Sequence, residues 1–151
     1  MTTIKRTTSS AIDFQNLVVL LDKDLKIKDG EEHDFYAQFN KIDKIKNVVV
    51  YYSNNEAVGC GAFKEFDTNT VEIKRMFVHP DFRGKGIAGS VLKELENWAG
   101  EINYTACVLE TGKNNPEAIG LYAKYGYEII PNYGQYEHVE NSVCMKKINK
   151  Q

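Results

Sequence analysis

The feature that most constrains this chain is residues 71–98, where an apolar strand-like run, a short loop, a cluster of glycines and a long amphipathic stretch follow without a break. Val71 and Ile73 alternate with polar neighbours at the period of a strand, whereas Ile87, Ala88, Val91, Leu92, Leu95 and Trp98 recur at the period of a helix. Between them lies Arg83-Gly84-Lys85-Gly86-Ile87-Ala88-Gly89. Glycine lacks a Cβ, so such a loop lets the backbone adopt positive φ and approach a ligand closely. The amides of the helix's first turn have no intrahelical acceptor and attract an anion. Arg83 and Lys85 add positive charge, so a pyrophosphate suits the loop.

The strand feeding this loop carries a phase error. Val71 and Ile73 are apolar at odd positions, Met76 and Val78 at even ones, with Lys74 and Arg75 between. One extra residue near Lys74-Arg75, a β-bulge, restores a single buried face. The alternative is a C-terminal half buried on both faces, which Phe77 allows.

Around this unit the chain reads as an α+β domain spanning residues 1–151. Residues 3–7 suit an edge strand, and Ser9 or Ser10 caps a helix carrying Ile12, Leu17, Val18, Leu20 and Leu21 up to Gly30. Residues 31–40 form a second helical stretch with Phe35, Tyr36 and Phe39 on one face. A hairpin follows, residues 48–52 and 57–66 about a Ser53-Asn54-Asn55 turn. The long helix begins near Lys85 and ends at Gly100; residues 104–109 form a strand. Asn115 caps a helix that has Pro116 at its first position, Ala118, Leu121, Tyr122 and Tyr125 on its apolar stripe, and Gly126 at its stop. Residues 127–130 and 142–148 are closing strands around a tyrosine-rich loop, 132–141.

Composition narrows the function classes. Lys plus Arg (19) against Asp plus Glu (21) leaves a net charge of −2, which offers duplex nucleic acid no electrostatic footprint. Cys60, Cys107 and Cys144 show no zinc or dithiol spacing and read as buried thiols, without a His or basic cluster to activate one. His33, His79 and His138 show no metal-ligand spacing, so no metal is expected. The apolar run Leu17–Leu21 is too short for a membrane span or a signal-peptide core, and the expected location is cytoplasmic.

Gly84-x-Gly86-x-x-Gly89 also satisfies the dinucleotide fingerprint, with Glu110 about 20 residues on as the ribose-binding acid. Three features oppose it. Residues 79–83 intervene between strand and glycines; the strand carries Glu72, Lys74 and Arg75, where a central parallel strand is nearly all apolar; and too little chain remains for a doubly wound sheet. A loop whose glycines only permit tight helix packing is a further alternative.

The run from Val71 to Ala88 resembles the signature of the GNAT acyltransferase superfamily, Arg or Gln, two residues, Gly, one residue, Gly or Ala, matched by Arg83, Gly86 and Ala88. A second element of that family is matched by Asn115-Pro116-Glu117-Ala118, Leu121-Tyr122 and Gly126-Tyr127. The resemblance implies a central mixed, mostly antiparallel sheet with helices on both faces, and acetyl-CoA as co-substrate. It places the pyrophosphate on Arg83, Gly84, Lys85, Gly86, Ile87 and Ala88, and the pantetheine along Met76, Phe77 and Val78. Asn115 is a further cofactor contact, and also an adequate helix cap.

The implied chemistry is acetyl transfer to a primary amine of a small molecule or peptide by direct attack on the thioester. An amine of pKa ~10.4 is protonated at pH 7 and must lose a proton first. Glu72 sits where several family members carry a catalytic glutamate; otherwise it is a solvated charge or a partner for Lys74 or Arg75. Tyr122 matches the tyrosine that protonates or hydrogen-bonds the departing sulfur, although core packing also accounts for it. Glu110 is the second carboxylate candidate. Tyr36 and Phe39 fall on the family's acceptor-lining segment, and Tyr133, Tyr136, Glu137 and Glu140 crowd the late loop; aromatic faces with carboxylates suit a cationic amine. A homodimer is left open. The functional alternatives are a non-catalytic acyl-CoA-binding sensor and a dinucleotide-binding domain.

Overall fold

The computed structural model describes residues 1–29 and 44–149. The expected Glu31-to-Asn40 helical stretch, with Phe35, Tyr36 and Phe39, lies outside the described residues, as does the Gly30 stop. The elements are β1 (Thr2–Thr7), α1 (Ile12–Asp29), β2 (Asn47–Ser53), β3 (Glu56–Asp67), β4 (Thr70–Val78), α2 (Ile87–Glu101), β5 (Ala106–Gly112), α3 (Pro116–Lys124), β6 (Glu128–Ile130) and β7 (Ser142–Ile148). The strands form one sheet in the order β1-β2-β3-β4-β5-β7-β6. Every neighbouring pair is antiparallel except β4 with β5, which is the expected mixed, mostly antiparallel sheet. Asn54 and Asn55, both at positive φ (49° and 68°), close the β2–β3 hairpin in the conformation that matches strand twist.

Two cores lie on opposite faces of the sheet. Val91, Leu92 and Leu95 of α2 and Tyr122 of α3 pack with Val49, Phe63, Val71, Ile73 and Leu109. Phe14, Leu17, Val18 and Leu21 of α1 pack on Val48, Val50, Cys60, Ala62 and Phe77. The hydrophobic period of each helix therefore has a sheet face to bury, the main source of its stability in water.

The phase error in β4 is a β-bulge. Cys60 faces Phe77 and Ala62 faces Lys74, so Gly61 alone opposes both Arg75 and Met76, and Arg75 sits at φ 60°. The extra residue lets Val71 and Ile73 before it, and Met76 and Val78 after it, all join the α2 core. The alternative holds in part as well, since Phe77 is buried in the α1 core. Gly61 is required by space: an added Cβ would lie 2.8 Å from a Leu95 methyl and 2.9 Å from one of Val91.

Several boundaries differ from the sequence reading. Helix α2 starts at Ile87 because Gly84 and Gly86 both hold φ 80°, and it runs through Gly100; the left-handed exit falls to Asn103 (φ 75°), with Tyr104 N–H donating to Ala99 O at 3.0 Å. Strand β5 begins at Ala106 because the amides of Thr105 and Ala106 both turn to Asn69 O. Ser9 Oγ accepts from the Ile45 amide at 2.9 Å, so it ties α1 to the start of β2. Among the described residues no helix is long and apolar enough to cross a membrane.

Candidate active site

The parallel pairing of β4 and β5 is short. It covers Thr70↔Ala106, Val71↔Cys107 and Glu72↔Val108 and then stops, while β4 continues along β3 to Val78 and β5 continues along β7 to Gly112. The two strands diverge from Glu72 onwards, and the wedge between them holds a cavity of about 520 Å³. Its lining includes Glu72, Met76, Phe77 and Val78 of β4, Arg83, Gly84, Gly86, Ile87 and Ala88 of the loop and α2, Glu110 of β5, and Asn115 and Tyr122 at α3. One cavity thus gathers the residues expected on β4, the glycine loop, β5 and α3, together with Tyr136; Lys85 is exposed over the Phe82 ring, Tyr133, Glu137 and Glu140 do not line the cavity, and Tyr36 and Phe39 lie outside the described residues.

At the glycine mouth, a Cβ on Gly84 or Gly86 would meet nothing within 4 Å, so their positive φ is what requires glycine. Gly86 caps α2 without a side-chain hydrogen bond, leaving first-turn amides open to an anion. Gly89 differs: a Cβ there would collide with the Tyr125 hydroxyl and ring, so this glycine seats α3 against α2. Arg83 is anchored, its Nε donating to Val78 O at 2.8 Å, its Nη2 lying 3.4 Å from Asp24 and its guanidinium 5.6 Å from the Phe77 ring centre. It fixes the loop to the end of β4 and to α1.

Toward the apex of the wedge, Tyr122 is buried and packs edge-to-face on Tyr127 at 5.8 Å. Burial first, and the nearby Glu110 charge second, push its hydroxyl above the ordinary phenol range, so it keeps its proton. Helix α3 is started by Asn115, whose Oδ1 accepts from the Ala118 amide at 3.2 Å, with Pro116 next.

Glu72 is buried at 5% exposure, which excludes the solvated-charge reading. Its Oε2 accepts from the Tyr133 hydroxyl at 2.8 Å, and its Oε1 lies 4.0 Å from Lys74 Nζ. Arg75 turns to Asp22 at 3.1 Å instead. Glu110 accepts from Ser142 Oγ at 2.7 Å. Burial lowers the Lys74 ammonium from its usual range, with the charges of Glu72 and Glu110 opposing. Burial, then Glu110 and Glu72, push the Tyr136 hydroxyl up. A compact polar cluster therefore lies on the α1 face of the wedge. The sequence pointed to the tyrosine-rich loop but not to the Tyr133–Glu72 or Ser142–Glu110 contacts. Among the described residues no group of three His, Cys, Asp or Glu is arranged to hold a metal ion.

A split between adjacent parallel strands, with a glycine-capped helix at its mouth, is not the doubly wound sheet of a dinucleotide-binding domain. The sequence profile of the Acetyltransferase (GNAT) family matches residues 15–127. The chain belongs to the GNAT family. This GNAT chain is 35% identical over 98 residues to the N-acetyltransferase YsnE of Bacillus subtilis, itself uncharacterised, covering 64% of this chain and 65% of that protein. It is 36% identical over 91 residues to the IAA acetyltransferase of Azospirillum brasilense, covering 60% of each. The match thus spans somewhat less than two thirds of these relatives' lengths. Among solved structures, one assigned as an acyl-CoA N-acyltransferase of Klebsiella pneumoniae superposes with a TM-score of 0.82 at 26% identity, covering 99% of both chains.

Proposed function

We propose that the protein is an acetyl-CoA-dependent N-acetyltransferase whose acceptor is a primary amine of a small molecule or peptide. The observation that carries this reading is the β4–β5 wedge, with an anion-binding helix terminus at one end and two carboxylates at the other. The names of the relatives, acetyltransferases and an acyl-CoA N-acyltransferase, support it.

In this reading the cofactor pyrophosphate sits on the loop of Arg83, Gly84, Gly86, Ile87 and Ala88, with Lys85 adding charge from outside the cavity. Past Glu72 the β5-facing edge of β4 has no β5 register, and the pantetheine amides complete that edge along Met76, Phe77 and Val78 as a strand would. Asn115 borders the cofactor and caps α3 at once. The acceptor enters on the face that carries Glu72 and Glu110.

The incoming ammonium gives its proton to Glu72, directly or through a water. The free amine then attacks the thioester carbonyl, the C–N bond forms, the C–S bond breaks and coenzyme A leaves as a thiolate, while the nitrogen's second proton passes through solvent to the thiolate, giving the neutral amide and the thiol. Tyr122 acts on that sulfur. A thiol pKa of ~8.5 lies well below that of a phenol raised by burial, so full proton transfer from Tyr122 is uphill and it serves as a hydrogen-bond donor.

The test is thiol release from acetyl-CoA across a panel of primary amines, with calorimetry for cofactor binding. Turnover with at least one amine is expected, and Gly86→Glu should abolish cofactor binding by placing a side chain and a negative charge at the pyrophosphate. Unchanged binding by Gly86→Glu overturns the loop assignment. Binding with no thiol release from any amine identifies a sensor instead of an enzyme.

A further inference from the structure

We infer that Tyr133 is a positioning residue, holding the Glu72 carboxylate in the orientation that receives the acceptor's proton. The inference rests on Glu72 being the base. The two oxygens of Glu72 are not equivalent: Oε2 accepts from the Tyr133 hydroxyl at 2.8 Å, and Oε1 stands 4.0 Å from Lys74 Nζ. A carboxylate that holds one hydrogen bond through a fixed donor loses rotational freedom about its last torsion and presents its second oxygen in one direction. That second oxygen is the one the reaction would use.

The Tyr133 ring is itself fixed. It meets Phe66 edge-on at 4.8 Å, from the end of β3, and Tyr136 edge-on at 6.0 Å, from its own loop. Its hydroxyl is driven above the ordinary phenol range, by burial first and then by the charge and hydrogen bond of Glu72, so it stays a donor at every pH at which the enzyme would work. The loop between β6 and β7 therefore reaches across 61 positions of sequence to set a group on β4.

The charged or titratable groups that face Glu72 come from every surrounding element: Lys64, its partner on β3; Lys74 on β4; Glu110 on β5; Tyr133 and Tyr136 on the loop; and Cys144 on β7. Of these, only Tyr133 makes a direct hydrogen bond to the carboxylate within 3 Å among the described contacts. Removing it takes away a bond that favours the charged form and leaves the other charges in place.

The experiment compares Tyr133→Phe, which keeps the ring and its packing, with the unmutated full chain. Two readouts are used: the pH profile of kcat/KM with the panel amine that turns over fastest, and a ¹³C NMR titration of the Glu72 carboxyl, identified by its loss in Glu72→Gln. Expected is an upward move of about one pH unit in both the acidic limb and the NMR midpoint, with kcat down about tenfold and acetyl-CoA affinity unchanged. Replacing Tyr133 by a trifluorotyrosine, the same shape but a stronger donor, should move both midpoints the other way. A purely structural Tyr133 would leave the limb and the midpoint where they are, and that result overturns the inference. If Glu72→Gln itself leaves turnover intact, the base assignment is what fails, whereas a crippled Glu72→Gln beside an unshifted Tyr133→Phe condemns the positioning role alone.

Discussion

Tyr122 and Gly89 show at the scale of single residues how a side chain's surroundings decide its role. Tyr122 lies on the apolar stripe of α3 and is buried, yet it also lines the cavity, so packing and chemistry coincide in one ring. Tyr122→Phe keeps the packing and removes only the donor. Steady-state kinetics should therefore show kcat lowered about tenfold to a hundredfold, with acetyl-CoA affinity and unfolding midpoint nearly unchanged. A matching fall in stability would make the hydroxyl structural. The three glycines of the loop share one rationale on sequence alone, but the structure separates them. Gly84 and Gly86 are held by conformation in open space, and Gly89 by contact with Tyr125. Gly86→Ala should then cost about 1 kcal/mol of backbone strain. Gly89→Ala must displace an aromatic side chain and should disturb the seat of α3, seen as a larger fall in the urea midpoint.

The bulge in β4 lies just past the last residue that pairs with β5, and it was legible because alternation must serve a buried face. Val71 and Ile73 share parity, Met76 and Val78 have the other, and one extra residue is the smallest correction. The alternation alone does not say which partner strand β4 moves away from, since parallel pairing between β4 and β5 leaves no local signature. The Tyr133–Glu72 bond was hidden for the same reason: nothing in the neighbourhood of either residue encodes a contact so distant in sequence. Deleting Arg75 offers a direct test. Without it, Lys74 is followed by Met76 in unbroken alternation, so both cores keep their residues while the bulge disappears. The variant should fold, by circular dichroism, but let β4 pair further along β5, and calorimetry should find acetyl-CoA affinity lowered about tenfold or more. Unchanged affinity would mean the splay does not depend on the bulge. At α3, Asn115→Ala should cost about 1 kcal/mol in urea unfolding through the lost cap, and Asn115→Ser should restore it.

Across the whole molecule, a net charge of −2 conceals a basic stretch of Lys74, Arg75, Arg83 and Lys85 broken only by Asp81, close to the loop that would meet a pyrophosphate. Buried thiols govern stability at alkaline pH. Cys60, Cys107 and Cys144 are all fully buried, and burial pushes the first thiol up to about 12 and the other two up to about 11, from an ordinary value of 9.0. The unfolded chain ionises these thiols first, so between pH 9 and pH 11 it binds fewer protons than the native state. Their contribution is complete below about pH 9 and is lost as pH rises toward the folded values. At pH 10 each thiol costs about 1.4 kcal/mol of stability relative to neutral pH. Lys74 works in the opposite sense, because its folded value is depressed and deprotonation relieves a buried charge. The raised Tyr122 and Tyr133 hydroxyls act in the thiols' sense, mainly above pH 10. Between pH 8 and pH 10 the three thiols together should lower stability in urea unfolding by about 4 kcal/mol, which Lys74 reduces, and Cys107→Ala should make the fall between the two pH values about 1.4 kcal/mol smaller than in the unmutated chain. A stability that stays level over this range would mean that the thiols are hydrated in the native state and that the cores around Cys60, Cys107 and Cys144 are looser than their packing indicates.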